Sequence, residues 1–436
     1  LNILMSMKGD KKPVAFIEDC AVSLDHLAEY TARLKEIFKK YNTSGMFYAH
    51  ASVGTLHIRP VLNMKSDEDI KNMKSISQEA FEMVKNYKGS HSGEHGDGIV
   101  RSEFHEMMFG KKIINAFEEI KDIFDNKNLL NPGKIVRPYK SNDRSLMRYK
   151  SGYQANKITT HYDWSNWGQF SDAVEMCNNN GACRKLDSGV MCPSYRVTKE
   201  EKDLVRGRAN TLRLALSNQL PEGSFASKDM YETMELCVSC KACQRECPMS
   251  VDMAKMKSEF LSHYYKKFSM PIKDRVISDM PRLIWLLKII APTFNKVKNL
   301  PLISTIVNKF GFATERKMPE VQSQDALKEI YNSQPVSENK VILFADTFNI
   351  NFENKNLIYS IKVLNKFGYQ AIIPSYGKDN LSRPLCCGRT YISYGQLDKA
   401  ASELNRFNDY ILKNNYYDLP VVGIEPSCLL TFNDEY

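Results

Sequence analysis

Residues 237–248 read CVSCKACQRECP. Four of the eleven cysteines stand in this run, Cys237, Cys240, Cys243 and Cys247, and their spacing is C-x2-C-x2-C-x3-C-P. The short gaps let one loop place three thiolates around an iron–sulfur cluster, and the proline turns the chain so that the fourth sulfur reaches a different cluster. A disulfide framework or a zinc site is the alternative, but the cysteine count is odd and zinc sites favour paired C-x2-C motifs. The run therefore predicts an iron–sulfur centre.

A second, degenerate cysteine run lies upstream, in CNNNGACRKLDSGVMCP. Cys177 and Cys183 match the first and third positions, Asn180 stands where the second cysteine belongs, and a few inserted residues precede Cys192. If each fourth cysteine serves the other cluster, Cys192 completes a four-thiolate site with Cys237, Cys240 and Cys243. Cys177, Cys183 and Cys247 then form a three-thiolate site. That site could hold a [3Fe-4S] cluster, hold a [4Fe-4S] cluster with a non-cysteine ligand, or remain unassembled.

A third cysteine set lies near the C-terminus, where Cys386 and Cys387 precede Gly388 and Cys428 follows in EPSC. Adjacent side chains rarely point into one core, so a bend at Gly388 is expected to bring both sulfurs together. Burial as ordinary core residues is the alternative for this set. For the isolated Cys20 we expect simple burial.

Composition limits the class of protein. The chain has 436 residues, of which 43% are hydrophobic, and a formal net charge of +9. This length predicts about two to four packed domains. Lysine is spread without a long basic run, so binding to nucleic acid is not expected. No apolar stretch reaches the roughly 20 residues of a membrane span. We expect a cytoplasmic protein, and peripheral contact with the inner face of the membrane is left open for the basic, apolar segment 269–313.

Hydrophobic periodicity divides the chain into five segments. The first mixes strand-like runs, PVAFIEDC and GTLHIRPVLN, with helical spacing. The last alternates strands and helices as in a parallel sheet. Together they predict a multidomain α+β fold. The expected divisions are an α+β domain at 1–140, a linker at 141–160, a helical cysteine-bearing domain at 161–268, an amphipathic helical connector at 269–338 and an α/β domain at 339–436.

Histidines concentrate in the first segment. His50 and His57 occur in YAHASVGTLHIRP, and SHSGEHGDG adds Glu94 and His95. Two histidines seven residues apart face opposite sides of a straight strand, so Gly54 must mark a turn if they share a ligand. Imidazole with carboxylate suits zinc, manganese or iron. The pattern makes a metal site conditional on that turn.

These motifs carry a family resemblance. HASVGTLH, SGEHGDG and NPGKI resemble the C-terminal half of the FAD-linked oxidases of the vanillyl-alcohol-oxidase type, in particular the D-2-hydroxy-acid dehydrogenases. The cysteine regions resemble the ferredoxin-like 4Fe-4S and cysteine-rich CCG domains of glycolate oxidase iron–sulfur subunits and heterodisulfide reductase. The fusion of both resembles large bacterial flavo-iron–sulfur dehydrogenases of the D-2-hydroxyglutarate type.

The resemblance implies roles for particular residues. His50, His57 and Glu94 match ligands of a divalent metal beside the substrate, and His95 matches the catalytic base. Asn131, in NPGKI, matches a segment against the flavin. Arg59 is our own candidate for pairing the substrate carboxylate.

The sequence also departs from the family pattern. H-x-G-D-G-N-L-H is HASVGTLH here, and the CCG set lacks its first cysteine near Asp346. The FAD pyrophosphate-binding domain of the family is not found in this sequence. We therefore expect a fragment, and leave open whether it retains FAD alone or needs a separate FAD-binding chain.

The expected function is oxidation of a D-2-hydroxy acid of the 2-hydroxyglutarate, lactate or glycolate class to the 2-oxo acid. Electrons would pass from FAD through iron–sulfur clusters to a quinone or an electron-transfer protein. The alternative is a non-catalytic iron–sulfur subunit that docks to a separate flavoprotein dehydrogenase.

Overall fold

The computed structural model describes residues 6–287, 290–298, 300–313, 315–374 and 383–436. These ranges contain seven strands: β1 Lys11–Pro13, β2 Cys20–Ala21, β3 Gly45–His50, β4 Thr55–Asn63, β5 Lys340–Phe344, β6 Gln370–Ile372 and β7 Val421–Gly423. The helices of the first segment are Leu24–Lys40, Asp67–Asn86, Gly98–Ser102, His105–Phe109 and Lys111–Phe124. The helices of the cysteine-bearing region are Phe170–Glu175, Pro193–Thr198, Val205–Leu216, Lys228–Glu235, Ala242–Glu246 and Met253–Lys267. The remaining helices are Ile272–Ser278, Met280–Leu287, Ala291–Val297, Pro301–Lys309, Asp325–Asn332, Thr347–Asn351, Asn354–Lys366, Arg389–Ser393, Leu397–Lys413, Pro426–Leu429 and Thr431–Asp434.

The first sheet is antiparallel and is built around β4. Strands β1, β2 and β3 all pair with β4, and β3 and β4 form a hairpin. The helix Leu24–Lys40 buries Tyr30, Leu34 and Phe38 at a spacing of four, which places them on one face against the same core as Ile58. The helical period and the strand predicted for GTLHIRPVLN are thus confirmed.

One strand expectation for this segment is wrong. PVAFIEDC does not form a continuous strand, because only Lys11–Pro13 and Cys20–Ala21 pair with β4. Between them the chain turns at Asp19, whose φ is +81°. This turn buries Glu18 and Asp19 beneath the histidines.

The cysteine-bearing region forms a separate helical core. Aromatic side chains occupy its centre, including Trp164, Phe170 and Phe260. Six of the seven clustered cysteines pack in or against this core: Cys177, Cys183, Cys192, Cys237, Cys243 and Cys247. The centre is therefore apolar around the sulfurs.

The C-terminal sheet is parallel, in the order β6-β5-β7. The predicted parallel α/β arrangement is confirmed, and with the first sheet it establishes a multidomain α+β fold. We propose the domain divisions given above for these separate cores. Within the described ranges, no helix is both long and apolar enough to span a bilayer.

Candidate functional site

The β3–β4 hairpin positions two histidines on the same side of the sheet. His50 ends β3 and His57 lies on β4, where it pairs with Tyr48. Gly54 makes the turn at a φ of +70°, and a Cβ there would lie 1.9 Å from the Val22 carbonyl oxygen. Only glycine fits this close approach. The turn required for a shared ligand is therefore present.

Glu94 brings the histidines into one group. Its Oε1 lies 3.3 Å from His50 Nε2 and 3.1 Å from His57 Nε2. Two ligand atoms about 2.1 Å from a tetrahedral zinc ion lie about 3.4 Å apart. Each predicted histidine thus lies within ligand spacing of Glu94, and the chemistry of the three residues suits a divalent metal. The ligand atoms that all lie within 4.8 Å of one another here are those of Asp19, His57, Glu94 and His95, so the structure groups His95 with the predicted ligands and leaves His50 at the edge.

Glu18 supports this group from beneath. Its Oε1 lies 3.7 Å from His57 Nδ1, and its carboxylate is paired with Arg59 Nε at 2.8 Å. Tyr48 donates a hydrogen bond to Glu18 Oε1 at 2.8 Å. Burial opposes ionisation, but the hydrogen bonds from Arg59 and Tyr48 outweigh it and keep the pKa of Glu18 below its ordinary value. A carboxylate behind a metal-binding histidine fixes the ring orientation and raises its basicity.

Asp19 fixes the loop that carries Glu94 and His95. Its carboxylate accepts hydrogen bonds from the backbone amides of Glu94, at 2.9 and 3.0 Å, and of His95, at 2.8 Å. Burial acts to raise the pKa of Asp19, but the two amides together with the charges of His95 and Arg101 bring it below its ordinary value. Asp19 is thus engaged in holding the loop.

His95 lies over this group and remains accessible. Its ring stacks on His57 with centroids 4.9 Å apart, and 44% of its side chain is exposed. Its Nε2 lies 3.8 Å from Glu94 Oε1. An imidazole beside the candidate metal ligands, open on one side, can reach a bound substrate.

Arg59 and Asn131, the other two residues predicted for the site, do not join the group formed by the histidines and Glu94. Arg59 is largely buried and bound to Glu18, so its guanidinium supports Glu18 in this structure. Asn131 is exposed and lines an apolar groove with Phe117, Ile120 and Leu130. An exposed apolar groove suits contact with a flat aromatic ring, so its residues fit the flavin that the resemblance implies.

Four cysteines meet in one cavity. Cys192, Cys237, Cys240 and Cys243 line it together, which is the grouping expected if the two runs exchange their fourth cysteines. Burial raises the pKa of Cys243 to about 12. Because metals bind the thiolate, cluster assembly here must displace protons. The donor set fits a [4Fe-4S] cluster.

Arg208 is a buried cation beside this cavity. Its Nη1 donates to Cys192 Sγ at 3.7 Å, and its Nε donates to the Thr233 carbonyl at 2.9 Å. Hydrogen bonds to ligand sulfurs and nearby charge set the potential of a cluster. Sequence reasoning did not identify Arg208.

The second group contains three thiols. The pKa of Cys183 is raised to about 11, mainly by burial and also by the charges of Cys177 and Cys247, which lie nearby. Asn180 is exposed, and its Oδ1 accepts from the Ala182 amide at 2.8 Å. The Cys177 thiol donates instead to Asn179 Oδ1 at 3.8 Å. The structure thus places an amide oxygen of Asn179 beside the three-thiol group.

The third cysteine set is buried. Cys386, Cys387 and Cys428 are each less than 5% exposed, and the neighbouring thiols of Cys386 and Cys428 both act on the pKa of Cys387, which is raised by Cys428 and by burial. Gly388 has a φ of +78°, and a Cβ there would meet the Tyr436 hydroxyl at 2.1 Å. The bend expected at Gly388 is present, and it brings the vicinal thiols together. Cys20, in contrast, is fully buried in the first core.

Polar contacts join the helical cysteine region to the first domain on one side and to the C-terminal domain on the other. Arg148 Nη1 donates to the Cys177 carbonyl at 2.6 Å, and Lys65 of the first domain pairs with Glu175 at 2.7 Å. On the other side, Arg389 donates to the Ser239 carbonyl at 3.4 Å. The three-thiol group therefore lies toward the first domain, and the four-thiol group lies toward the C-terminal cysteines.

Glu18 and Asp19 were missed as parts of the site. Their sequence signal is two adjacent carboxylates within an apolar run that ends at Cys20. Charged residues are almost never fully buried without partners, so such a pair indicates nearby cations or donors.

Two family models match the chain. Residues 2–135 match the C-terminal domain of FAD linked oxidases, and residues 173–251 match a 4Fe-4S dicluster domain. These matches cover the histidine site and both thiol groups of the helical region.

Individual relatives extend the comparison. The chain is 28% identical to a D-2-hydroxyglutarate dehydrogenase of Pantoea ananatis and 25% identical to one of Escherichia coli. Each alignment covers 100% of this chain and 46% of the relative, so the chain spans about half the length of these relatives. A D-lactate dehydrogenase of Archaeoglobus fulgidus is 32% identical over 30% of this chain and 29% of its own length. Residues 2–135 are therefore similar to the C-terminal domain of FAD-linked oxidases, and residues 173–251 are similar to 4Fe-4S dicluster domains.

Proposed function

We propose that the chain forms the substrate and electron-transfer parts of a flavin- and iron–sulfur-dependent dehydrogenase. It would oxidise a D-2-hydroxy acid, with 2-hydroxyglutarate as the first candidate and lactate and glycolate as the others. The observation that carries the proposal is the convergence of His50 and His57 on Glu94, with His95 stacked beside them. A docking module without catalysis has no need of this arrangement, which disfavours the electron-transfer subunit as the alternative.

The chain's own residues define the chemistry. When bound, FAD supplies a two-electron acceptor, the divalent ion a Lewis acid, and the clusters one-electron carriers. His50, His57 and Glu94 would hold the ion, and Asn131 would lie against the flavin. His95 would take the hydroxyl proton of the substrate, a task suited to an imidazole near neutral pH. Glu18 and Asp19 keep His57 and the Glu94–His95 loop in place.

The order of contacts supports an electron path. We propose that electrons reach the three-thiol group first, because Glu175, two residues before Cys177, pairs with Lys65 of the first domain. The four-thiol group follows, and the Arg389–Ser239 hydrogen bond leads to the buried C-terminal cysteines. Cys386, Cys387 and Cys428 would then form the last site before the acceptor.

A separate FAD-binding chain is a proposed partner. The helix Lys111–Phe124 buries none of its residues. Ile123, Phe124, Leu129 and Leu130 are 66–83% exposed on this face, next to Asn131. An apolar face of this kind is typical of an interaction surface.

A quinone is the proposed electron acceptor, with an electron-transfer protein as the other candidate. Exposed Leu300, Leu302, Ile306 and Phe310 lie in a segment that carries seven basic and two acidic residues over 269–313. Apolar side chains with an excess of basic residues favour peripheral contact with an anionic membrane surface. That contact would place the chain where a quinone is available.

The test is anaerobic reduction by substrate. Purified protein is supplied with FAD, alone and with the FAD-binding half of a relative, and is mixed with D- or L-2-hydroxyglutarate, D- or L-lactate, or glycolate. We expect cluster reduction by a D-enantiomer, monitored by EPR. His95→Asn should slow it by at least about 100-fold, because general-base catalysis contributes that much. His26→Asn is the matched control, since His26 is a histidine outside the site. Cluster reduction that is equally fast in His95→Asn would contradict the proposed role.

A further inference from the structure

A second group of metal-ligand types lies at the far side of the loop that carries Glu94 and His95. It consists of His91, Asp97 and His105, whose ligand atoms lie within 4.8 Å of one another. None of these residues is among the ligands assigned above. The group therefore shares no ligand residue with the proposed substrate site.

The distances suit an ion between the three side chains. His105 Nε2 lies 3.0 Å from Asp97 Oδ2, and His91 Nε2 lies 3.5 Å from Asp97 Oδ1. Ligand atoms on a tetrahedral zinc ion lie about 3.4 Å apart, as at the Glu94 group.

Hydrogen bonding within the protein leaves the group incomplete. Both ring nitrogens of His91 are buried without a hydrogen-bond partner, and so is Asp97 Oδ1. His105 Nδ1 lies 3.1 Å from the Ile135 carbonyl oxygen, which can only accept, so Nδ1 carries the proton. In the neutral ring, Nε2 then presents a lone pair to the Asp97 carboxylate. A second proton on His105 would form a hydrogen bond to Asp97 but would leave the ring nitrogens of His91 without a partner. A cation would bind the lone pairs of both histidines and the Asp97 carboxylate.

The surroundings of His91 favour its neutral imidazole. His91 is 1% exposed, and the rings of Phe81 and Phe109 pack against it with centroids 5.3 and 5.7 Å away. Burial lowers the pKa of His91 to about 4, and the charges of His105 and Arg101 act in the same direction. A neutral imidazole is the form that binds metals. The nearby Arg101 is occupied, since it donates to Ser92 Oγ at 3.1 Å and to the Gly96 carbonyl at 2.6 Å.

We propose that His91, Asp97 and His105 bind a divalent zinc-type ion. Two imidazoles and one carboxylate suit zinc, manganese or iron, and Phe81 and Phe109 pack against the histidine rings. His91 and Asp97 would anchor both ends of the Ser92–Gly96 loop. His105 would connect it to the segment after Asn131, through the Ile135 carbonyl. The ion would hold the two parts of the first domain that face substrate and flavin.

Cobalt(II) titration tests the site. The protein keeps its iron–sulfur clusters, loses other metals by chelation and is titrated with Co(II) alone, whose bands with nitrogen and oxygen ligands differ from those with thiolates. We expect two equivalents in the wild-type protein and one in His50→Asn/Glu94→Gln. His91→Asn should lose one equivalent, and circular dichroism checks that it is folded.

Each outcome decides the matter. Wild-type content in folded His91→Asn, or no cobalt in His50→Asn/Glu94→Gln, would overturn the second site. If His91→Asn does not fold, the result for His50→Asn/Glu94→Gln alone decides. A single wild-type equivalent that survives in His50→Asn/Glu94→Gln would support the second site and contradict the metal of the proposed function, so the two failures are distinguishable.

Discussion

The two thiol groups of the helical domain are near-copies that differ at one position. Cys192, Cys237, Cys240 and Cys243 line a shared cavity with Arg208 beside it. The other group has three thiols, with Asn180 exposed at the position of the missing cysteine and Asn179 turned toward Cys177. Each run supplies its fourth cysteine to the other site. The cysteine that Asn180 replaces is therefore missing only from the site of Cys177, Cys183 and Cys247. It is the site toward the first domain, where electrons would enter.

The largest effect is expected from removing a ligand of the complete group. Cys243→Ala should lose that cluster, about four irons, because a [4Fe-4S] cluster is held by four thiolates. Iron and sulfide analysis with EPR of the reduced protein measures the loss. Cys20→Ala is the matched control, since Cys20 is buried outside all three sets, and it should keep all iron. Retention of all iron and of the reduced four-iron signal in Cys243→Ala would break the assigned grouping.

The second effect concerns the missing thiolate. We expect about seven irons and an oxidised three-iron EPR signal in the wild-type protein. Asn180→Cys should restore the four-cysteine spacing, add about one iron and remove that signal. Asn179→Ala is the companion variant. Loss of iron in Asn179→Ala, with about eight irons in the wild-type protein, would instead make Asn179 the non-cysteine ligand of a four-iron cluster.

The smallest effect concerns reduction potential. Arg208→Met removes a buried cation that donates to Cys192 Sγ, so reduction, which adds negative charge, becomes less favourable. We expect the complete cluster to shift negative on the order of 60 mV, a tenfold change in a one-electron equilibrium. Arg206→Met is the counterpart, because the Arg206 charge acts on Cys177 and Cys183. An equal shift of both clusters in each variant would erase the distinction between the sites.

The sequence predicted those features that depend on local spacing. The cysteine groupings were expected from motif spacing, and the parallel sheet was expected from alternating elements. The turn at Gly54 was only a condition for a shared ligand, and the structure meets it. The support beneath the histidines could not be predicted, because Glu18 reaches His57 only through a turn at Asp19 that breaks an apparent strand. Arg59 likewise lies in the expected place, but its partner is Glu18. Long-range pairing of buried charges leaves little periodic signal.

The most direct test of the central claim is freeze-quench EPR after anaerobic addition of D-2-hydroxyglutarate to the protein with FAD and the FAD-binding half of a relative. The account predicts that the three-thiol cluster is reduced first and the four-thiol cluster second, and that the L-enantiomer reduces neither. Clusters that stay oxidised while the flavin is reduced would contradict the electron path from the histidine site through the cysteine sites.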